Sequence, residues 1–241
     1  MDHILFDHIA IGMPKIADAA PFLAGILGGV PDSGSPSGPY TWGAYRFEGG
    51  GCIEIIEPLG PPGFLHRFLA ERGPGFHHVT FKVPSLDDVC ARAERAGYGI
   101  VGRDDSDAEW KEAFLHPKQA LGIVVQFAQP GPSRGTPHPS TPPPGVPSPP
   151  PPVTLLGLRM RAQSRERAMT QWGTVLQGKM ADGPRGSLVF SWPGSFMRLA
   201  VEIDPVENAG PIVIELASGR TLTLPEGPHP ALGAVFTQEE A

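Results

Sequence analysis

Cysteine is nearly absent from this chain: Cys52 and Cys90 are the two, and they form no metal-type spacing. Cys52 falls in a strand pattern and Cys90 on the apolar side of a helix pattern, so both are expected as reduced, buried small hydrophobes. Positive charge is scarce as well. The 19 Lys and Arg against 25 Asp and Glu leave a net charge of −6, which excludes the basic footprint of a nucleic-acid-binding protein. No basic run argues for membrane attachment, and no window approaches the roughly eighteen apolar residues of a spanning helix. The N-terminus lacks a basic region followed by an apolar run, so a cytosolic chain without signal peptide or membrane contact is expected.

Proline and glycine, by contrast, are abundant, at 30 and 31 of 241 residues. Most of the proline surplus is local, with 12 prolines in the 23 residues from Pro130 to Pro152. Such a stretch buries little apolar area and is expected to run as an extended, semi-rigid spacer, reaching up to ~70 Å at about 3.1 Å per residue. It separates residues 1–129 from residues 153–241 and is itself a linker over 130–152.

The N-terminal portion carries an internal repeat. FDHIAIGMP at 6–14 and the stretch ending FHHVTFKVP at 76–84 each place a histidine, His8 or His78, six residues before a proline. In both copies a helical pattern follows the proline. Asp18 is the expected cap of the first helix and Ser85 of the second, and Leu86, Val89, Cys90, Ala93 and Ala96 keep helical spacing. Strand patterns then follow at 41–48 and 52–57 in the first copy and at 98–103, 111–115 and 123–128 in the second. Residues 31–39 read as a Gly/Ser/Pro loop, so the first copy has a weak second strand. Each copy is βαβββ, a unit that buries its apolar face against a copy of itself. Beyond the linker the pattern resumes at Thr154, with Leu156 in the place of the histidines and Ser164 capping a helix. The embedded acids Glu202 and Glu215 compete there for the remaining polar position. The fold expected is α+β: paired βαβββ modules forming a curled mixed sheet, followed by a third, degenerate module that packs on the first two or on a second copy of the chain.

In each of the first two copies the last strand carries one polar residue among apolar neighbours, Glu54 and Gln126. His8, Glu54, His78 and Gln126 thus occupy matched places in two related units. Imidazole nitrogen, carboxylate oxygen and amide oxygen all suit a borderline-hard divalent ion, and four such groups converging leave positions open for substrate. A lone histidine or glutamine on a strand is more often an ordinary hydrogen-bonded residue; the matched set is what points to a metal. His77 alternates to the other face, and His3, His66, His138 and His229 are expected in ordinary roles.

The motifs DHIAI at 7–11, IEIIEP at 53–58, GFHHVTF at 75–81, FLHPK at 114–118 and GIVVQ at 122–126 together resemble the vicinal oxygen chelate superfamily. That superfamily includes glyoxalase I, extradiol dioxygenases and methylmalonyl-CoA epimerase, and the GFHH and FLHPK stretches look most like the epimerase. The resemblance covers about residues 5–129. It implies a divalent metal ion (Zn, Ni, Co, Mn or Fe) on His8, Glu54, His78 and Gln126. The ion stabilises an enolate or enediolate on a small oxo acid, a thioester or a thiol adduct. In the epimerase a general-base Glu precedes the third strand. The corresponding place here is about Thr41-Trp42 and has no carboxylate, with Glu48 the nearest acid. Glu54 then becomes the candidate base, and His116 and Lys118 the residues facing the substrate.

Two classes of function follow. One is a metal-dependent isomerase or lyase of a small-molecule substrate, favoured by the four ligand candidates. The other is a non-catalytic drug-binding protein of the bleomycin-resistance type, favoured by the missing base and by a lining of Trp42, Tyr45, Phe47 and Trp110. Iron(II) extradiol chemistry is a weaker third, because the dioxygenases carry their carboxylate where this chain has Gln126.

Overall fold

The structure of the protein, a computed structural model, describes residues 2–131 and 140–239. The first repeat comprises β1 (Leu5–Gly12), a 3-10 turn (Ile16–Ala19) leading into α1 (Ala20–Leu23), β2 (Val30–Ser37), β3 (Tyr40–Arg46) and β4 (Cys52–Pro58), and α2 (Phe64–Arg72) follows it. The second comprises β5 (Gly75–Lys82), α3 (Leu86–Arg95), β6 (Ile100–Asp104), β7 (Trp110–Leu115) and β8 (Val124–Pro130). The third comprises β9 (Thr154–Ala162), α4 (Arg165–Ala168) running into a π-helical turn (Met169–Val175), β10 (Lys179–Asp182), β11 (Leu188–Ser191) and β12 (Arg198–Ile203). Two strands remain, β13 (Gly210–Ala217) and β14 (Phe236–Gln238).

One mixed sheet runs β2-β3-β4-β1-β5-β8-β7-β6 and the other β10-β11-β12-β9-β13-β14. Each repeat therefore has the same strand order, last-but-one pairs antiparallel and first with last parallel. The third repeat is complete. The strands β13 and β14 stand in the second sheet where β5 and β8 stand in the first, again paired in parallel, so the chain ends on the outline of a fourth repeat. The described helices include none long and apolar enough to cross a membrane.

Local chemistry explains most of these elements. Ser85 caps α3 by accepting from the Asp88 N–H at 3.2 Å, acids fill its first turn, and Arg92 and Arg95 its last, the arrangement the helix dipole favours. Its buried residues Leu86, Val89, Cys90 and Ala93 hold it to the sheet. At about 1.5–3 kcal/mol for each large side chain, that burial outweighs the cap, which contributes about 1 kcal/mol. The first helix departs from expectation. Asp18 does not cap it; the carboxylate of Glu57 accepts the Ile16 N–H at 2.5 Å instead. Residues 31–39 depart as well, since most of them form β2. An edge strand tolerates Pro31 and Pro36 because a proline there costs no ladder bond. The helix after Ser164 is capped as expected, yet opens into a π turn around Gly173, the residue with the weakest helical preference short of proline.

The chain divides into two compact units, neither continuous in sequence. One comprises Met1–Asp7, His78–Thr136 and Gly157–Ile212. Within it the third repeat packs on the second: Arg92 Nε donates to Val175 O at 3.0 Å, Arg167 Nη2 to Gln119 O at 2.8 Å, and Gln171 Nε2 to Ala120 O at 3.3 Å. Phe6 stacks on Phe81, which also meets Trp172 and Trp192. Cys90 is buried and its thiol is pushed up by that burial.

The other unit comprises His8–His77, Pro137–Leu156 and Val213–Ala241. Its proline-rich segment corrects the spacer expectation over the part that is described; residues 132–139, with His138, lie outside the described residues. Residues 140–153 are laid along the first repeat. Thr141 N donates to Gly34 O at 2.8 Å and Gly34 N to Ser140 Oγ at 3.0 Å, so the segment covers the open edge of β2. The approach is close enough that a Cβ on Gly34 would sit 2.6 Å from Thr141 O. Further along, Tyr45 Oη donates to Pro144 O at 2.8 Å and Val153 N to Leu27 O at 2.9 Å. Proline's preset extended backbone makes such a strap cheap to order, because little chain entropy is lost. In the same unit His77 faces α2, its ring 5.0 Å from that of Phe68 and 5.6 Å from that of Phe64. Cys52 is buried.

Tyr45 is buried, and that burial pushes its hydroxyl up to about 12, keeping it a donor at every ordinary pH. Tyr45→Phe removes the bond to Pro144 and is expected to cost about 1 kcal/mol in urea unfolding, the net worth of one such bond. Burial, with the Arg72 charge adding to it, pushes His77 down to about 4 from 6.5. The unfolded chain then binds the proton that the folded chain refuses. Stability is highest above pH 6.5, falls as pH drops from 6.5 to about 4, and this contribution flattens below that. The fall attributable to His77 is roughly 3 kcal/mol, and His77→Phe, which keeps the aromatic contacts, is expected to remove it from the difference between unfolding at pH 7 and pH 4.5.

Candidate metal centre

The register of the strands decides which side chains share a face. In β1 and β4 Ala10 stands opposite Glu54, and alternation puts His8 on the same face two residues earlier. In β5 and β8 Thr80 stands opposite Gln126, with His78 again two residues earlier. The matched spacing read from sequence is therefore a matched geometry. His8, His78 and Gln126 are 6%, 7% and 6% exposed, and the Glu54 side chain 14%, so all four stand largely out of water.

His8 Nε2 lies 3.6 Å from Glu54 Oε1. Taken with His78, these residues each offer one ligand atom, and the three atoms lie within 4.8 Å of one another. Two ligands on one ion at about 2.0–2.2 Å each stand no more than about 4.4 Å apart, a separation that the His8–Glu54 pair already meets. Two imidazole nitrogens and a carboxylate oxygen are a donor set for a borderline-hard divalent ion.

Gln126 is held by two neighbours on its own face. Thr80 Oγ1 donates to its Oε1 at 2.6 Å, and its Nε2 donates to Glu112 Oε2 at 2.7 Å. Trp110 Nε1 donates to the same Glu112 oxygen at 3.1 Å. Neither Thr80 nor Glu112 stood out in the sequence. The signal was the repeat itself: Trp42 pairs with Ile56, two residues after Glu54, and Glu112 pairs with Ala128, two residues after Gln126. The second repeat carries a carboxylate at the very position where the first has Trp42.

Other sequence candidates fall elsewhere. His116 and Lys118 are exposed in the turn after β7, and His116 Nδ1 accepts the Lys118 N–H at 3.2 Å. Glu48 is exposed at the far end of the hairpin, beside Thr154. Tyr45 and Phe47 are core residues, while Trp42 and Trp110 are half-buried. The acidic run at 104–109 is exposed up to the half-buried Glu109, and is bonded within itself and to Arg103.

In the third repeat the structure moves the alignment. His8 and His78 each stand seven residues before the residue that opens their helix, Lys15 and Ser85; seven residues before Ser164 stands Gly157, so Leu156 is not the equivalent residue. Arg159 then pairs with Ala200 as Ala10 pairs with Glu54. Glu202 lies two residues beyond that place and Glu215 lies on β13, outside the repeat. The third repeat keeps the backbone and carries Gly157 and Ala200 at the places of His8 and Glu54.

Comparison with known proteins agrees with this architecture. Residues 7–114 match the family model described as Glyoxalase/Bleomycin resistance protein/Dioxygenase superfamily. The uncharacterized protein YqjC of Bacillus subtilis is 28% identical over 127 residues, which is 52% of this chain and 91% of that protein. Human mitochondrial methylmalonyl-CoA epimerase is 25% identical over 127 residues, 51% of this chain and 72% of the epimerase. A hypothetical protein from Staphylococcus aureus is 10% identical with a TM-score of 0.66, covering 98% of this chain and 99% of that one, so the fold extends over both sheets. The repeat and the sheet order thus agree with the match of residues 7–114 to the Glyoxalase/Bleomycin resistance protein/Dioxygenase superfamily model.

Proposed function

We propose that the protein is a divalent-metal-dependent isomerase or lyase acting at a carbon beside a carbonyl, on a small oxo acid, a thioester such as an acyl-CoA, or a thiol adduct. The observation that carries this reading is the grouping of His8, Glu54 and His78 with their ligand atoms within 4.8 Å. His8, Glu54 and His78 hold the ion in this reading, with Gln126 as fourth ligand. A divalent ion held there would act as a Lewis acid, offsetting the negative charge that develops beside a substrate carbonyl.

The remaining work falls to the chain's own residues. Largely buried side chains keep water from the site and strengthen every charge interaction in it. Glu54 is the carboxylate nearest the histidines and takes the proton in this reading, because no carboxylate stands at Thr41 or Trp42. Lys118 and His116, exposed after β7, are available to an anionic tail of the substrate. The identity to methylmalonyl-CoA epimerase supports an acyl-CoA as a substrate class to test. Trp42, half-buried where a base would otherwise stand, favours a second reading, a binding protein of the bleomycin-resistance type.

Protein purified without chelator is expected to carry about one divalent ion per chain by elemental mass spectrometry, and both His8→Ala and His78→Ala to lose it with folding retained. The intact protein should then turn over either a 2-oxo hemithioacetal or an acyl-CoA epimer. No metal above background in the parent, with folding unaffected by either substitution, would overturn the enzyme reading in favour of the binding protein.

A further inference from the structure

An amide has two ends of nearly the same shape and opposite chemistry: its oxygen can bind a cation and its NH2 cannot. Glu54, in the first repeat, needs no orientation, since a carboxylate offers oxygen at both ends. Gln126, in the matched place of the second repeat, does. We propose that Glu112 is a positioning residue that fixes the Gln126 amide with its oxygen available as a ligand; this rests on the metal reading above and deepens it.

The geometry is specific. Glu112 Oε2 receives Gln126 Nε2 at 2.7 Å and Trp110 Nε1 at 3.1 Å. A carboxylate only accepts, so it selects the nitrogen end of the amide. The oxygen end is thereby turned to Thr80, whose hydroxyl donates to it at 2.6 Å and whose side chain is fully buried. A hydroxyl can donate or accept, so Thr80 alone would satisfy either orientation, and the choice is made by Glu112. One lone pair of the amide oxygen goes to Thr80, and the second remains for an ion. The two repeats differ in a coordinated way: Ala10, Glu54 and Trp42 in the first stand where Thr80, Gln126 and Glu112 stand in the second. The ligand that needs orienting is the one that has Glu112 and Thr80 beside it.

The test is cobalt(II) titration of the full chain, read by the visible spectrum of the bound ion and by calorimetry. E112L is expected to weaken Co2+ binding about 10- to 100-fold, the usual effect of losing a group that orients a ligand. E112Q, whose side-chain oxygen still accepts both N–H groups, should stay within about threefold of the parent. In a Q126E background E112L should cause no loss, because a carboxylate has oxygen whichever way it lies. Circular dichroism of each variant separates misfolding from loss of orientation, with E112Q the safeguard if E112L does not fold. Unchanged Co2+ affinity in E112L, or an equal loss with and without Q126E, would overturn the role of Glu112 while leaving the metal site standing. A parent chain that takes up no Co2+ would overturn the metal reading itself, and the role of Glu112 with it.

Discussion

The arrangement depends on one constraint, the register of the parallel pair formed by the first and last strands of each repeat. Ala10 opposite Glu54, Thr80 opposite Gln126 and Arg159 opposite Ala200 are the same pairing made three times. A slip of one residue would turn every side chain of a strand to the opposite face and exchange the candidate ligands for core residues. Burial of Ile9, Ile11, Val79 and Phe81 on the other face makes such a slip expensive. The hydrophobic core thus holds two histidines and their partners where they stand.

Because the backbone is common to all repeats, chemistry is assigned by single substitutions at equivalent positions. Gly157 and Ala200 replace the histidine and the carboxylate in the third repeat without altering its sheet. Between the first two repeats the exchange of Glu54 for Gln126 is accompanied by Thr80 in place of Ala10 and Glu112 in place of Trp42. These changes sit on one face and touch one another, so they act as a set.

The proline-rich segment is part of the fold over the residues that are described. It closes the edge of β2 and lies against Tyr45 and Leu27, tasks that need extended backbone with acceptors and few donors. An exposed edge strand invites pairing with other chains, and a covering segment that contributes few N–H groups removes that hazard.

Much of this was legible from the sequence by itself. The duplicated histidine-to-proline spacing, the embedded Glu54 and Gln126, the Ser85 and Ser164 caps and the position of most strands follow from local patterns, because alternation and capping are properties of neighbouring residues. The strand β2 was not legible, since its prolines read as a loop until an edge position makes them harmless. The place of the third repeat's alignment, Gly157 rather than Leu156, could not be read either, because it depends on which residues face each other across a ladder. For the same reason Thr80 and Glu112 escaped notice: a hydrogen bond between side chains 14 or 46 residues apart is a consequence of strand pairing, and nothing in the neighbouring sequence reports it. The sequence by itself determined the repeat and the candidate ligand types; tertiary structure alone decided which side chains meet, since that is set by register, a relation between strands rather than a property of any one of them.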